Sequence, residues 1–258
     1  MKVLGIDSSS MVASVAVIED KNLQAEYTIN YKKTHSQTLV PMLDEVKKMI
    51  DLDFTTVDCI AVAAGPGSFT GLRIGSATAK GLAQALQKPI AAIPTIDGLA
   101  YNLYGTDKLI CPMMDARRNQ TYTGIYQFVE KENKNSCNIM DEVSRQGCDS
   151  SIQERRYILH PVVEQCVVMV PEIIEKINQL GKEVIFLGDG MPVFTPQIQE
   201  LCKVPFSFAP APCNRQRGAS IAALGLEYFE QGKVEAAEEH GPDYLRLSQA
   251  ERERKEKE

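Results

Sequence analysis

No stretch of the 258-residue chain holds 18 consecutive apolar residues, so no segment reads as a membrane span. After Met1-Lys2 the first apolar run stops at Asp7, too short for the core of a secretory leader, and a cytoplasmic protein is expected. The seven cysteines (Cys59, Cys111, Cys137, Cys148, Cys166, Cys202 and Cys213) form no C-x-x-C pair. That excludes a zinc knuckle and a thioredoxin-like motif, and leaves free thiols in a reducing compartment as the expectation. Histidine is scarce, with three in the chain. His35 opens a helix, but the second ligand of an H-x-x-x-H pair would fall on Leu39, and His160 and His240 have no neighbour at metal spacing. No bound metal is therefore expected. A serine hydrolase elbow is missing too, because Gly218-Ala219-Ser220-Ile221-Ala222 breaks G-x-S-x-G at its last position. Nor is there an excess of positive charge: 28 basic against 34 acidic residues gives −6, which excludes gripping nucleic acid through the whole surface. The basic residues come in short clusters, Arg117-Arg118, Arg155-Arg156 and Arg215 with Arg217, which could add phosphate contacts inside a larger assembly.

What is present is an ordinary globular composition, 44% hydrophobic and 24% charged, long enough to bury a core without staples. The first part predicts strands at Val3–Ile6, Val12–Ile18 and Leu23–Tyr31. A helix follows, because Leu39, Met42, Leu43, Val46, Met49 and Ile50 recur every three or four residues. Thr34 with Gln37 fits a capping box at its start, and Pro41 should bend it. Val57–Ala63 reads as a strand buried on both faces, then come a glycine-rich turn and a helix to about Gln87, a strand at Ile90–Ile93 and a helix at Thr95–Tyr104. The second part repeats this order loosely. Strands are predicted at Leu109–Met114, Thr121–Val129, Val184–Leu187 and Val204–Phe208, and helices at Pro171–Leu180 and Ala219–Phe229. Residues 130–165 read as polar and irregular, with a third strand near Ile139, and the charge-balanced tail 251–258 reads as a frayed helix. The expected class is α/β, two related folds in tandem with mixed sheets.

Three groups of residues carry chemistry. Asp7-Ser8-Ser9 and Asp115-Ala116-Arg117-Arg118 each place a carboxylate at the end of a first strand. Two such turns facing each other could clamp a magnesium–nucleotide, or could simply cap their turns. Gly65 to Gly71 misses the dinucleotide fingerprint by one residue and lacks G-K-[ST], so it is a weak phosphate cradle. Gly71, Gly75, Ala79 and Ala83 lie on one helix face, which either packs tightly on the chain's own sheet or offers a flat face to a partner helix.

Several of these stretches together resemble one family. They are Gly5-Ile6-Asp7-Ser8-Ser9, His35-Ser36-Gln37 with Leu39 and Pro41, Gly65-Pro66-Gly67-Ser68-Phe69-Thr70-Gly71-Leu72-Arg73-Ile74-Gly75, and Pro94-Thr95 with Leu99-Ala100. Met114-Asp115-Ala116-Arg117-Arg118, Gly188-Asp189-Gly190 and Pro242-Asp243-Tyr244-Leu245-Arg246 complete the set. The sequence resembles the bacterial TsaB family, also called YeaZ, over nearly its whole length; residues 130–170 match poorly and look like an insertion. The resemblance implies two tandem actin-like (ASKHA, ribonuclease H-like) domains, at 1–106 and 107–212, a C-terminal helix and segment 213–246 packing back toward the first domain, and a charged tail 247–258. It implies a non-catalytic subunit that binds and activates a TsaD-type paralogue, in making threonylcarbamoyladenosine beside the anticodon of tRNAs that read codons starting with A. A TsaE-type ATPase would join the assembly, and tRNA would be met indirectly, through the complex. The implied partner face is the first two helices, carried here by His35, Leu39, Met42, Leu43, Val46, Gly71, Leu72, Gly75, Ala79 and Ala83; the same helices could pair two copies. A nucleotide cleft would comprise Asp7, Ser8, Ser9, Asp115, Gly188, Asp189 and Gly190, with no tightly bound cofactor and at most ATP or ADP held weakly. The competing expectation is an actin-like ATPase or small-molecule kinase using Asp7 and Asp115.

Overall fold

A computed structural model describes residues 1–131 and 156–246. The first sheet is built from β1 (Lys2–Asp7), β2 (Val12–Glu19), β3 (Asn22–Asn30), β4 (Cys59–Gly65) and β5 (Ile90–Pro94), in the order β3-β2-β1-β4-β5. β1, β2 and β3 run antiparallel in sequence, whereas β4 and β5 join parallel to β1. The second sheet uses β6 (Leu109–Asp115), β7 (Gln120–Glu130), β8 (Tyr157–Met169), β9 (Val184–Leu187) and β10 (Phe206–Phe208), in the order β10-β9-β6-β7-β8. Counted within its own half, each sheet has the strand order 3-2-1-4-5 and the same pattern of parallel and antiparallel pairs. The second sheet thus repeats the arrangement of the first, as two mixed sheets in tandem.

Helices cover both faces. α1 (His35–Met49) and α2 (Phe69–Leu86) lie on one face of the first sheet, where Leu4, Ile6, Val15, Val17 and Ile60 form a core with their apolar sides. α4 (Val170–Leu180) and α5 (Met191–Leu201) cover one face of the second sheet. The remaining two helices are exchanged. α3 (Thr95–Tyr101) follows the first sheet but packs Ile96, Leu99 and Ala100 against Ile110, Met114 and Tyr126 of the second. α6 (Gly218–Glu230) follows the second sheet but packs Ile221, Ala222 and Leu224 against Val3, Cys59 and Ala61 of the first. α3 and α6 also touch each other, so each half buries a helix donated by the other. Burying one Val, Leu or Ile side chain fully is worth roughly 1.5–3 kcal/mol, and the exchanged helices contribute several to the opposite sheet.

Four expectations need correction. Thr34 is the N-cap residue of α1, but its side chain caps nothing; its carbonyl accepts the Gln37 N–H at 3.0 Å and the Thr38 hydroxyl at 3.4 Å. Residues 130–165 are not irregular throughout, because β8 begins at Tyr157 and pairs along the length of β7. Pro161 and the polar pair Glu164-Gln165 disguise it; an edge strand tolerates a proline, and the register shifts beside it, between Ile125 and Tyr126. Helix α5 is hidden in the sequence because Pro192 and Pro196 interrupt its pattern. The helix expected to reach Tyr104 ends at Tyr101. The strand expected near Ile139 and the tail 247–258 lie outside the described residues.

Candidate functional site

β1 ends at Asp7, and the chain turns at once through Ser8 to Ser10. Asp7 is buried, and its Oδ1 accepts the Ser9 N–H at 2.9 Å and the Ser9 hydroxyl at 2.7 Å. Burial pushes its carboxyl up to about 6; the Ser9 bonds pull the other way, and the nearby Asp189 adds to the rise. Asp189 is itself raised, first by burial, against the opposing Arg215, with Asp115 adding to the rise. Asp115 ends β6 and accepts the Arg117 N–H at 2.7 Å and its guanidinium at 3.2 Å. The ends of β1, β6 and β9 therefore bring Asp7 near Asp189 and Asp189 near Asp115, at the place expected for the nucleotide cleft. Gly188 makes the last turn possible: its φ is +116°, and a Cβ there would sit 2.2 Å from the Met113 carbonyl oxygen. Gly190 donates to the same carbonyl at 3.1 Å and starts α5.

The two serines do not serve the cleft as expected. The Ser8 hydroxyl donates to the Gly71 carbonyl at 2.9 Å, and that of Ser9 to Asp7, so both protons are committed inside the protein. Several buried polar atoms around the cleft are left without partners: Asp189 Oδ1, His35 Nδ1, and both amide atoms of Gln216. Gln216 is 1% exposed and lines a groove with Glu26, Thr28, Arg215 and Arg217, a position that nothing in the sequence pattern marks. Among the described residues, no three His, Cys, Asp or Glu side chains come together as a metal site.

The helix face is a second correction. Leu39, Met42, Leu43 and Val46 are buried in the core beneath α1, and His35 is half-buried with Nε2 2.7 Å from the Ser10 carbonyl. On α2, Gly71, Leu72, Gly75, Ala79 and Ala83 are likewise buried against the chain's own sheet. A Cβ on Gly75 would lie 2.4 Å from Ser8 Oγ, so the small residues there let the helix settle onto the β1 turn. None of these residues except His35 has surface to offer a partner. The residues that α2 turns outward are Thr70, Arg73, Ala77, Gly81, Gln84 and Ala85, among them the small series Ala77, Gly81 and Ala85. Gly81 meets nothing within 4 Å of where a Cβ would be. A glycine in a helix interior costs about 1 kcal/mol against alanine, and no contact inside the described chain offsets it. α1 exposes Val40 (60%) and Met49 (78%), which nine residues of separation put on opposite sides of that helix. The sequence held a signal for the outer face, since Ala77, Gly81 and Ala85 are also spaced by four.

At the mouth of the cleft the β6–β7 turn is strained. Arg117, Arg118 and Asn119 have φ of 65°, 57° and 59°, three consecutive non-glycine residues in the left-handed region. Each such residue costs about 1–2 kcal/mol. The C-terminal segment 235–246 reaches this turn. Glu235 bridges to Ile90, the Asp243 N–H donates to the Ala64 carbonyl at 2.7 Å, and the Arg246 guanidinium donates to the Ala116 carbonyl.

Comparison with known proteins fits this architecture. The family model described as TsaD, tRNA N6-adenosine threonylcarbamoyltransferase, matches residues 22–254. The chain is 33% identical over 253 residues to the tRNA threonylcarbamoyladenosine biosynthesis protein TsaB of Bacillus subtilis (strain 168), covering 97% of this chain and 96% of that one. It is 25% identical over 250 residues to the protein of the same name from Escherichia coli (strain K12), covering 95% of each. The solved structure of YeaZ from Pseudomonas aeruginosa superposes with a TM-score of 0.67 at 23% identity, covering 95% of this chain and 100% of that one, which shows the same fold.

Proposed function

The chain belongs to the TsaB family of tRNA threonylcarbamoyladenosine biosynthesis proteins, and from that premise we propose that it is the non-catalytic subunit that binds and activates a TsaD-type transferase. The observation that carries the reading is the outer face of α2. Ala77, Gly81 and Ala85 form an exposed small strip, bordered by Thr70, Arg73 and Gln84, on which another helix can approach closely, and Gly81 has no neighbour among the described residues to account for it. The same face can pair two copies when the partner is absent, and a TsaE-type ATPase joins once the pair has formed.

Catalysis by this chain alone is disfavoured by its cleft. Asp7 and Asp189 are buried with raised carboxyls, which favours their neutral form over one that would hold a magnesium–nucleotide, and the serine protons are already committed. The cleft therefore holds ATP or ADP weakly at best. The test is nucleoside mass spectrometry of tRNA after depletion of the chain, together with reconstitution with and without it. Loss of threonylcarbamoyladenosine on depletion, and no transfer by the chain alone, is the expected result. Normal modification after depletion refutes the assignment, and transfer by the isolated chain refutes the non-catalytic role.

A further inference from the structure

Four arginines, one of them on the outward side of α2, are joined through the C-terminal segment. Arg117 and Arg118 project from the left-handed turn between β6 and β7, and the Arg117 side chain is 87% exposed. Arg246 donates to the carbonyl of Ala116, one residue before that turn, and so fixes the C-terminal segment against it. Two residues earlier, Tyr244 stacks on Phe69 with ring centroids 4.3 Å apart and planes 4° from parallel. Arg73 completes the group: its Nε donates to the Tyr244 hydroxyl at 3.1 Å, and its guanidinium lies 5.6 Å and 5.9 Å from the two ring centroids. The acids on this strip are Asp115, which pairs with Arg117, and Asp243; Arg118 has no ion pair among the described residues. The N-terminus of α2 also points here, and its first turn carries no acidic residue to neutralise the positive end of the helix.

We propose that Arg73, Arg117, Arg118, Tyr244 and Arg246 form an RNA-binding strip that contacts the sugar–phosphate backbone of the tRNA. The proposal rests on the subunit reading above and adds a direct RNA contact to it. Left-handed backbone favours glycine or asparagine, yet two of the three residues in the turn are exposed arginines, and of the two only Arg117 has an ion pair, with Asp115, among the described residues. Guanidinium groups spaced along a surface match a row of phosphates, because each can present a fork of donors to one of them. An exposed tyrosine set among arginines suits an unpaired base, which stacks on it whatever its sequence. On a chain of net charge −6 such a strip is local, so it supplies a few contacts and leaves tight binding to the assembled complex.

The experiment uses the full chain reconstituted with its TsaD-type partner and an unmodified tRNA transcript, with affinity followed by fluorescence anisotropy across a salt series. The Arg117→Ser, Arg118→Ser double variant should bind tRNA about tenfold more weakly. The slope of log affinity against log salt should become shallower by about 0.7–0.9 for each phosphate that the variant no longer neutralises. Arg117→Lys with Arg118→Lys should keep most of the slope, and Arg73→Gln provides an independent variant away from the strained turn. Size-exclusion chromatography of each complex, without RNA, reads partner binding separately. Unchanged affinity and slope overturn the proposal, and so does a double variant that falls off its partner, which would make the strip a protein interface. If the wild-type chain forms no complex at all, the subunit reading fails by itself. The strip is then read by ultraviolet cross-linking of the chain to RNA, where adducts at Tyr244 or in the peptide spanning 117–119 support it and adducts elsewhere, or none, overturn it.

Discussion

Gly75 rests on Ser8: a Cβ on the glycine would come within 2.4 Å of the serine hydroxyl, which itself donates to the Gly71 carbonyl at 2.9 Å. This contact seats α2 on the turn that presents Asp7, so the small face of the helix is a fold contact. Gly75→Leu should therefore destabilise the isolated chain. Overpacking of this kind costs roughly 1–3 kcal/mol, and each kcal/mol is roughly 2–4 °C of melting temperature for a chain of this size. Differential scanning fluorimetry checks it; an unchanged melting temperature would mean that α2 does not sit as described.

Gly81→Leu should do the opposite. No atom of the described residues lies within 4 Å of the new Cβ, and replacing a helix-interior glycine removes a cost of about 1 kcal/mol. The monomer should be as stable as before or slightly more so, while affinity for the TsaD-type partner falls tenfold or more, equal to about 1.4 kcal/mol or above. Isothermal titration calorimetry with the partner measures this, and equal affinity would remove the outer face of α2 from the interface.

Those two glycines also mark the limit of what the sequence discloses. The helix at α2 is legible from its period, but Gly71, Gly75, Ala79, Ala83 and Ala77, Gly81, Ala85 are both series spaced by four. Small residues favour neither core nor solvent strongly, so spacing alone does not say which series faces the sheet. The regular strands and helices of the first half are readable because periods of 2 and 3.6 are undisturbed there. Where proline enters, at Pro161 of β8 and at Pro192 and Pro196 of α5, the pattern breaks although the element survives. Asp7 and Asp115 are legible as equivalent strand ends, since duplication puts them at the same place in each half. Gln216 is not, because its isolation depends on which distant segments enclose it.

Tyr126 ties the exchanged helix α3 to the second sheet by donating its hydroxyl to Asp97 at 2.8 Å. Burial pushes the Asp97 carboxyl up to about 6, and the tyrosine bond pulls it back. Tyr126→Phe should cost about 1–3 kcal/mol, the range for stranding a buried polar partner. Without its donor the carboxyl rises further, so the destabilisation should be larger at pH 8 than at pH 5. Urea denaturation at the two values tests this, and an equal effect at both would show that the bond does not bear on the ionised form.

Asp7 should make stability depend on pH in a direction opposite to that of an ordinary salt-bridged carboxylate. In the folded chain it keeps its proton up to about pH 6, whereas the ordinary value is 3.8. Between these values the folded state holds a proton that the unfolded state has released, so stability falls as pH rises through this window and stays lower above it. At 1.36 kcal/mol per pH unit, the interval from 3.8 to about 6 corresponds to an order of 3 kcal/mol. Asp7→Asn removes the titration and keeps an oxygen to accept both Ser9 donors. The variant should therefore gain on the parent chain by up to about 3 kcal/mol between pH 4 and pH 8. Urea melts of both chains, subtracted at each pH, isolate this difference from every other titrating group. A difference that stays flat with pH would mean that Asp7 titrates in the fold as it does in the unfolded chain.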